Sequence, residues 1–420
     1  MGEDGEELVT ADGKRVAVVL SGGGANGAYE VGVLKALVSG KSHVTGNQPL
    51  DPDIIIGTSV GALNAAFLVS QWEQYGPGVA VGNLERFWMR EMAGGVRDNG
   101  VFRLRGNPLE LLDPGCYLPN PLNPFLRLLA DGGFLAWEGL QRLVNFLQGA
   151  RASTLERQLV QLVDISLLMD LSPLERTLRK IDYRAIQRSR KWLKVAATNW
   201  ATGELRVFWN HDMSAEFGPL ALRASAAVPG VFPPAELGAQ PFVDGSVLMH
   251  TPLSLATHAG ADIVHVIYLD PDVSSIPLPP IPQSYSTMQR IFQISWAASY
   301  NADVAAAARI NHALNTVDQI RTKLPADERT AELLRGLVEG KKPTGGHRPF
   351  RRLTIHRYHP RDPLAGDVSL LNFDPDRVQR LIERGFQDAL YHDDTESEDV
   401  FPNQEEEDLA KRLNPRRVIP

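Results

Sequence analysis

The chain has 420 residues, with 43 Lys+Arg against 50 Asp+Glu for a formal net charge of -7, and is 43% hydrophobic and 22% charged. These are globular proportions, and they exclude a collagen, a coiled coil or a wholly disordered chain. The acidic balance argues against a nucleic-acid binder, which needs a basic excess or stripe; the single cysteine, Cys116, excludes an internal disulfide and Cys-based zinc sites and suits a reducing, cytoplasmic setting.

The first residues, MGEDGEELVTADGKR, are acidic and polar and lack the charged-then-apolar pattern of a secretory signal, so residues 1–14 read as a flexible segment. Arg15 to Leu20 is a short β-branched run that stops at Ser21-Gly22-Gly23-Gly24, which predicts a buried strand entering a glycine loop. Ala28 to Val38 then shows helical spacing, with Val31, Leu34, Leu37 and Val38 on one side. Asp53 to Ile56 is a second buried strand, interrupted by Gly57-Thr58-Ser59-Val60-Gly61 and followed at once by the helical run Ala62 to Val69. Two strand–loop–helix units in succession predict a parallel sheet covered by helices.

From Asn99 to Ser172, Pro108, Pro114, Pro119, Pro121 and Pro124 punctuate leucine-rich pieces, which predicts a largely helical insertion in an α/β core. No stretch there approaches the ~18 uninterrupted apolar residues of a spanning helix, because Arg127, Asp131, Glu138 and Arg142 break the oily region 122–147. Trp137, Leu140, Val144 and Leu147 mark an apolar helix face, open to two uses: packing on the core, or forming a lid or acyl-chain funnel in peripheral contact with a membrane. Further strands are predicted at Leu193–Thr198, Pro241–Val243, Ile263–Leu269 and Leu353–Tyr358. Ser274 to Gln283 reads as a stiff proline-rich connector, Ser286 to Lys323 as a long helix or a broken pair, and Pro375 to Leu390 as a final helix. Arg348, Arg351, Arg352 and Arg357 form a basic cluster, fitting head-group contact or an ordinary solvated strand edge. Beyond Tyr391 the charges segregate by sign, as in a mobile tail.

Gly22 to Gly27 satisfies G-x-G-x-x-G between a strand and a helix. A dinucleotide site also needs an acidic residue about 20 positions on, but position 42 is serine and the second strand ends in Gly57. A phosphate loop needs Gly-Lys-Ser/Thr after the glycines, and none follows. The second loop matches G-x-S-x-G in a strand-to-helix setting, where a sharp turn pushes Ser59 out above the sheet and the flanking Gly57 and Gly61 avoid backbone collisions. Adjacent parallel strands bring both loops to one sheet edge, so that the glycine run sets amide hydrogens near a serine hydroxyl, as a tetrahedral oxyanion requires. Serine needs a base. His356 and His359 lie near the last strand but outside any glycine-rich loop, whereas Phe242-Val243-Asp244-Gly245-Ser246 puts an aspartate at a strand exit.

Ser21–Gly32, Gly57–Ala66, Leu222–Pro234 and Val243–Ser246, in this order, resemble the motif set of patatin-like phospholipases. The resemblance implies a three-layer α/β/α sandwich with a mainly parallel central sheet, here a catalytic domain at 15–272 with a helical insertion at about 99–172. A C-terminal extension at 273–392 and a charged tail at 393–420 would follow. It implies a serine lipid acyl hydrolase, with Ser59 as nucleophile, Asp244 as base and the amides of Gly22, Gly23, Gly24 and Ala25 as the oxyanion hole. Its substrate is a lipid or other acyl ester, and no metal or cofactor is required. An acyltransferase on the same dyad and a non-catalytic lipid-binding regulator are the alternatives. The chain departs from the family at Asn26, where a basic residue is usual, and at Ser246, where Gly or Ala is usual. The Ser-x-x-x-Pro-x-x-Phe-x-Pro block within Leu222–Pro234 corroborates the resemblance without a derivable role.

Overall fold

The computed structural model describes residues 14–95, 98–105, 123–149, 169–269, 284–323, 339–341, 347–349, 352–360, 362–364 and 369–390. An eight-stranded sheet forms the centre. Strand β1 (Val16–Leu20) lies between β2 (Ile54–Thr58) and β9 (Ile263–Ile267); β12 (Thr354–Tyr358) extends one side and β5 (Trp192–Asn199) the other, all parallel. β6 (Leu205–Trp209) and β8 (Gln240–Asp244) run antiparallel to β5, and β7 (Ala235–Leu237) runs antiparallel to β8. Two short antiparallel pairs stand apart, β3 (Arg103–Leu104) with β4 (Met169–Asp170) and β10 (Glu339–Lys341) with β11 (His347–Pro349).

The parallel strands are apolar on both faces, as strands covered on both sides must be. Val18, Leu20 and Ile55 enter one core with α1 (Gly27–Val38), α2 (Val60–Tyr75) and α3 (Pro77–Phe87). Their alternates Ala17, Val19, Ile54 and Ile56 enter the other. The chain thus forms a three-layer α/β/α sandwich.

After α3 the chain passes to α4 (Asn123–Gly149), α5 (Ser172–Leu178), α6 (Tyr183–Arg188) and α7 (Phe217–Ser225). The second face is covered by α8 (Leu253–His258) and α9 (Ser284–Lys323), through Leu253, Ala256, Tyr300 and Val304. The last helix, α10 (Pro375–Leu390), packs on α1, where a side chain at Gly32 would strike the Ile382 carbonyl and one at Gly385 the Tyr29 carbonyl. Two glycines therefore let the helix backbones touch, and Tyr29 donates to Asp388 at 2.9 Å.

Several local expectations change. Ser284–Lys323 is one unbroken helix rather than a pair, and the helix after Ser59 runs to Tyr75. β6 and β7 were not foreseen; in β6 only Phe208 is buried, which leaves little periodic signal. Within the insertion, core packing does not describe Trp137 and Leu140, which are 60% and 53% exposed. The helix is tied down by polar groups instead: buried Asp131 accepts from Arg103 at 2.7 and 2.9 Å, and Arg103 also holds Asp170. The side chains of Val144, Leu147, Arg348 and Arg351, the connector 274–283 and the tail beyond Tyr391 lie outside the described residues. No helix among the described residues is long and apolar enough to cross a membrane.

Candidate active site

Ser59 is the single residue between β2 and α2. Its backbone sits at φ 56°, ψ −125°, a region a side chain adopts only at a cost of about 1–3 kcal/mol. The tightness of the turn explains its glycines, since a Cβ on Gly57 would meet the Gly61 carbonyl and one on Gly61 the Leu20 and Ser21 carbonyls. Ser225, at the end of α7, holds the turn. Its hydroxyl accepts the Ser59 N–H at 2.9 Å and donates to the Ala196 carbonyl at 2.7 Å. The Ser-x-x-x-Pro block thus has a mechanical role after all, and its Ala227 carbonyl accepts the Asp244 N–H at 2.9 Å.

Strand register brings Asp244 to Ser59. Along β5, β2 pairs with Trp192–Ala196 on one edge, and β6 occupies the other edge from Lys194 to Thr198. β8 pairs with Ala197–Asn199, so it lies on the edge that β2 has just vacated and runs in the opposite direction. Thr58 is the partner of Ala196 and Asp244 the partner of Ala197, so the two strands end head to head. Thr198 fastens the junction by donating to the Asp244 carbonyl at 3.1 Å.

Asp244 is 1% exposed. Oδ1 accepts the Ser246 N–H at 2.7 Å, while buried Oδ2 has no hydrogen-bond partner among the described residues. Burial pushes the carboxyl above the usual aspartate range, and the nearby Ser59 hydroxyl, the Ser246 groups and His250 pull it part of the way back. The Ser59 hydroxyl is thus one of the polar groups that face this carboxyl.

The glycine loop faces the same place. Gly22 donates its N–H to the His250 carbonyl at 3.1 Å and packs against the Ser246 hydroxyl and the His250 ring, so its amide is already used. Asn26 N–H turns back to the Gly23 carbonyl at 3.0 Å. Gly23 and Gly24 line the cavity beside Ser59, and their N–H groups, like that of buried Ala25, have no acceptor among the described residues. Behind the loop, Asn64 of α2 donates to Glu30 of α1 at 2.8 Å and accepts from Trp88 at 2.8 Å. Full burial pushes the Glu30 carboxyl well above its ordinary range, and this network joins the glycine-loop helix to the serine helix.

Ser59, Asp244, Ser246 and His250 lie in the wall of a cavity of about 130 Å³ that is otherwise almost wholly apolar. Val60 and Leu63 of α2, Leu174 of α5 and Leu222 of α7 line it together with Met92 and Val101. Trp296, Leu370, Leu371 and Phe373 line it from the C-terminal part of the chain. Trp296 stacks on His250 with ring centroids 4.0 Å apart and donates to the Ser246 carbonyl at 2.8 Å. Neither His356 nor His359 lines the cavity; His356 stacks on His265 along β12 and β9. Ser225, His250 and Trp296 were not singled out by sequence. Only Ser225 carried a signal, its place in the proline block.

The model of a family described as patatin-like phospholipase matches residues 18–257, more than half of the chain. Among solved structures, VipD from Legionella pneumophila is similar at 14% identity and a TM-score of 0.33, over 91% of this chain and 68% of that one. None of the curated proteins matches. The family match spans the glycine loop, the serine turn, the proline block and the Asp244 strand, and the chain belongs to the patatin-like phospholipase family.

Proposed function

We propose that this protein hydrolyses carboxylic ester bonds of phospholipids, lysophospholipids or related acyl esters, with Ser59 as nucleophile and Asp244 as base. Family membership supports lipid acyl hydrolysis in general. The dyad rests on one observation: a strained serine and a desolvated aspartate end head to head on one edge of β5, at the wall of an apolar cavity.

In the proposed reaction, Asp244 Oδ2 takes the Ser59 proton as Oγ bonds to the ester carbonyl carbon. The Gly23 and Gly24 amides hold the resulting oxyanion. Collapse breaks the bond to the leaving oxygen, which receives the proton from Asp244 and departs as an alcohol. Water then gives a proton to Asp244 while attacking the acyl-enzyme, and the acid leaves as Ser59 regains its proton. A free aspartate with a pKa of ~3.9 is a poor base for a hydroxyl, and burial of Asp244 makes it a stronger one. Intact-mass analysis after a fluorophosphonate probe tests this. A single adduct mapping to Ser59, absent in Ser59→Ala, is expected; turnover surviving in Ser59→Ala or Asp244→Ala overturns the assignment.

The insertion helix supports a peripheral lipid contact. Asp131 faces inward to Arg103, whereas Leu126, Leu129, Trp137 and Leu140 are exposed, Leu129 by 72%. A helix with its carboxylate inside and its leucines outside has the polarity of one meeting an acyl boundary. A Trp137→Asp, Leu140→Asp variant should lose co-sedimentation with phosphatidylcholine vesicles while keeping wild-type kcat on a soluble ester; undiminished vesicle binding refutes the contact.

A further inference from the structure

Arg377 is buried on α10, 8% exposed, in a segment beyond the residues matched by the family model. Its guanidinium donates to the Asn26 side-chain oxygen at 2.6 Å, the Asn372 carbonyl at 2.9 Å and the Leu364 carbonyl at 3.2 Å. All three acceptors are neutral. Among the described residues it makes no ion pair. Asp374 caps the helix by accepting the Arg377 backbone N–H at 3.0 Å; it attracts the guanidinium, and Arg380 repels it more strongly. A buried charge without a counter-ion is expensive, and a strut between helix and loop needs only a neutral amide.

The position of the charge explains its use. Asn26 closes the single turn Gly24–Asn26, and its own N–H bonds the Gly23 carbonyl. The cation is thus attached one turn away from the two cavity-lining amides assigned to the oxyanion. The same segment braces the loop elsewhere, since the Leu370 carbonyl lies where a side chain on Gly24 would project. Charge held in a water-poor interior acts over longer range than at a surface, and a guanidinium does not lose its proton.

We infer that Arg377 is a positioning residue for the ester hydrolysis proposed above: it fixes the glycine loop through Asn26 and supplies the uncompensated positive charge that favours the oxyanion on Gly23 and Gly24. The inference rests on the hydrolase reading, and fluorophosphonate labelling of wild-type Ser59 tests that reading separately; if Ser59 does not label, both fall.

With labelling established, three variants are compared on a soluble ester and in the rate of fluorophosphonate labelling. Arg377→Met is expected to lower kcat about tenfold with KM little changed, and Arg377→Lys, which keeps the charge, to recover most of it. Asn26→Asp keeps the acceptor and shape but gives the guanidinium a counter-ion. It should match or exceed the wild-type melting temperature while also losing about tenfold in kcat and labelling rate. A purely structural strut predicts the reverse, a firmer loop with full activity. Wild-type kcat in Asn26→Asp, or a folded Arg377→Lys as slow as Arg377→Met, overturns the inference. Should Arg377→Met fail to fold, Asn26→Asp decides alone.

Discussion

Replacing Ser225 by alanine tests whether the serine turn is held from outside. The substitution removes the one partner that the buried Ser59 N–H has among the described residues, and one of the hydrogen bonds accepted by the Ala196 carbonyl. An orphaned buried donor costs about 1–3 kcal/mol, while the carbonyl keeps a second lone pair in the sheet and loses less. The strain stored at Ser59 is of the same size, about 1–3 kcal/mol, so one hydrogen bond balances one strained residue. Removing the bond should lower the melting temperature by roughly 2–12 °C, at about 2–4 °C per kcal/mol for a large domain. It should also let the turn relax, and a displacement near 1 Å at a nucleophile is worth about 100-fold in rate. Thermal unfolding followed by circular dichroism gives the first quantity; fluorophosphonate labelling and steady-state kinetics on a soluble ester give the second. A folded Ser225→Ala enzyme that labels and turns over at the wild-type rate refutes the account of how the turn is held.

Further outcomes follow from the burial of the site. Asp244 must be ionised to act as base and its pKa is raised, so kcat/KM should climb with pH along an acid limb above the usual aspartate range. Asp244→Asn should be inactive yet melt higher than wild type at neutral pH, because a raised folded pKa means stability held at low pH and lost as pH rises through that value. Glu30 follows the same sign: wild type should lose stability as pH rises through its raised pKa, and Glu30→Gln should flatten that slope in melts across pH, whereas parallel slopes would contradict a raised Glu30 pKa. Trp296→Ala removes an indole from the cavity wall and should shift the long-to-short acyl ratio of kcat/KM about tenfold toward longer esters. An unchanged ratio across a chain-length series would remove Trp296 from specificity.

The parallel half of the sheet was legible because most of its strands are short apolar runs, and β1 and β2 lead straight into glycines. Both loops of the site were legible for the same reason, since Gly57 and Gly61 are required by backbone that passes within contact distance. The pairing of Asp244 with Ser59 was suggested by a strand exit, with no sign of that strand's direction relative to β5. It arrives from the opposite direction, by register along β5, which is a property of pairing and leaves no mark in β8 itself. Gly22 was grouped with Gly23 and Gly24 because all three lack side chains; that its amide is committed to His250 depends on a residue far along the chain. Trp296, Leu370 and Arg377 were invisible for the same reason. Each acts across a sequence separation that periodicity does not sense.

The head-to-head ending of β2 and β8 makes the spacing of Ser59 and Asp244 a counted quantity, one residue step along β5, rather than the outcome of loop packing. A single-residue insertion or deletion within β8 turns every following side chain to the opposite face of the sheet, carrying Asp244 away from Ser59 while leaving the sandwich intact. Transplanting the β7–β8 hairpin between related scaffolds therefore transfers activity only when the residue count from Pro241 to Asp244 is kept, whatever the loop sequences on either side.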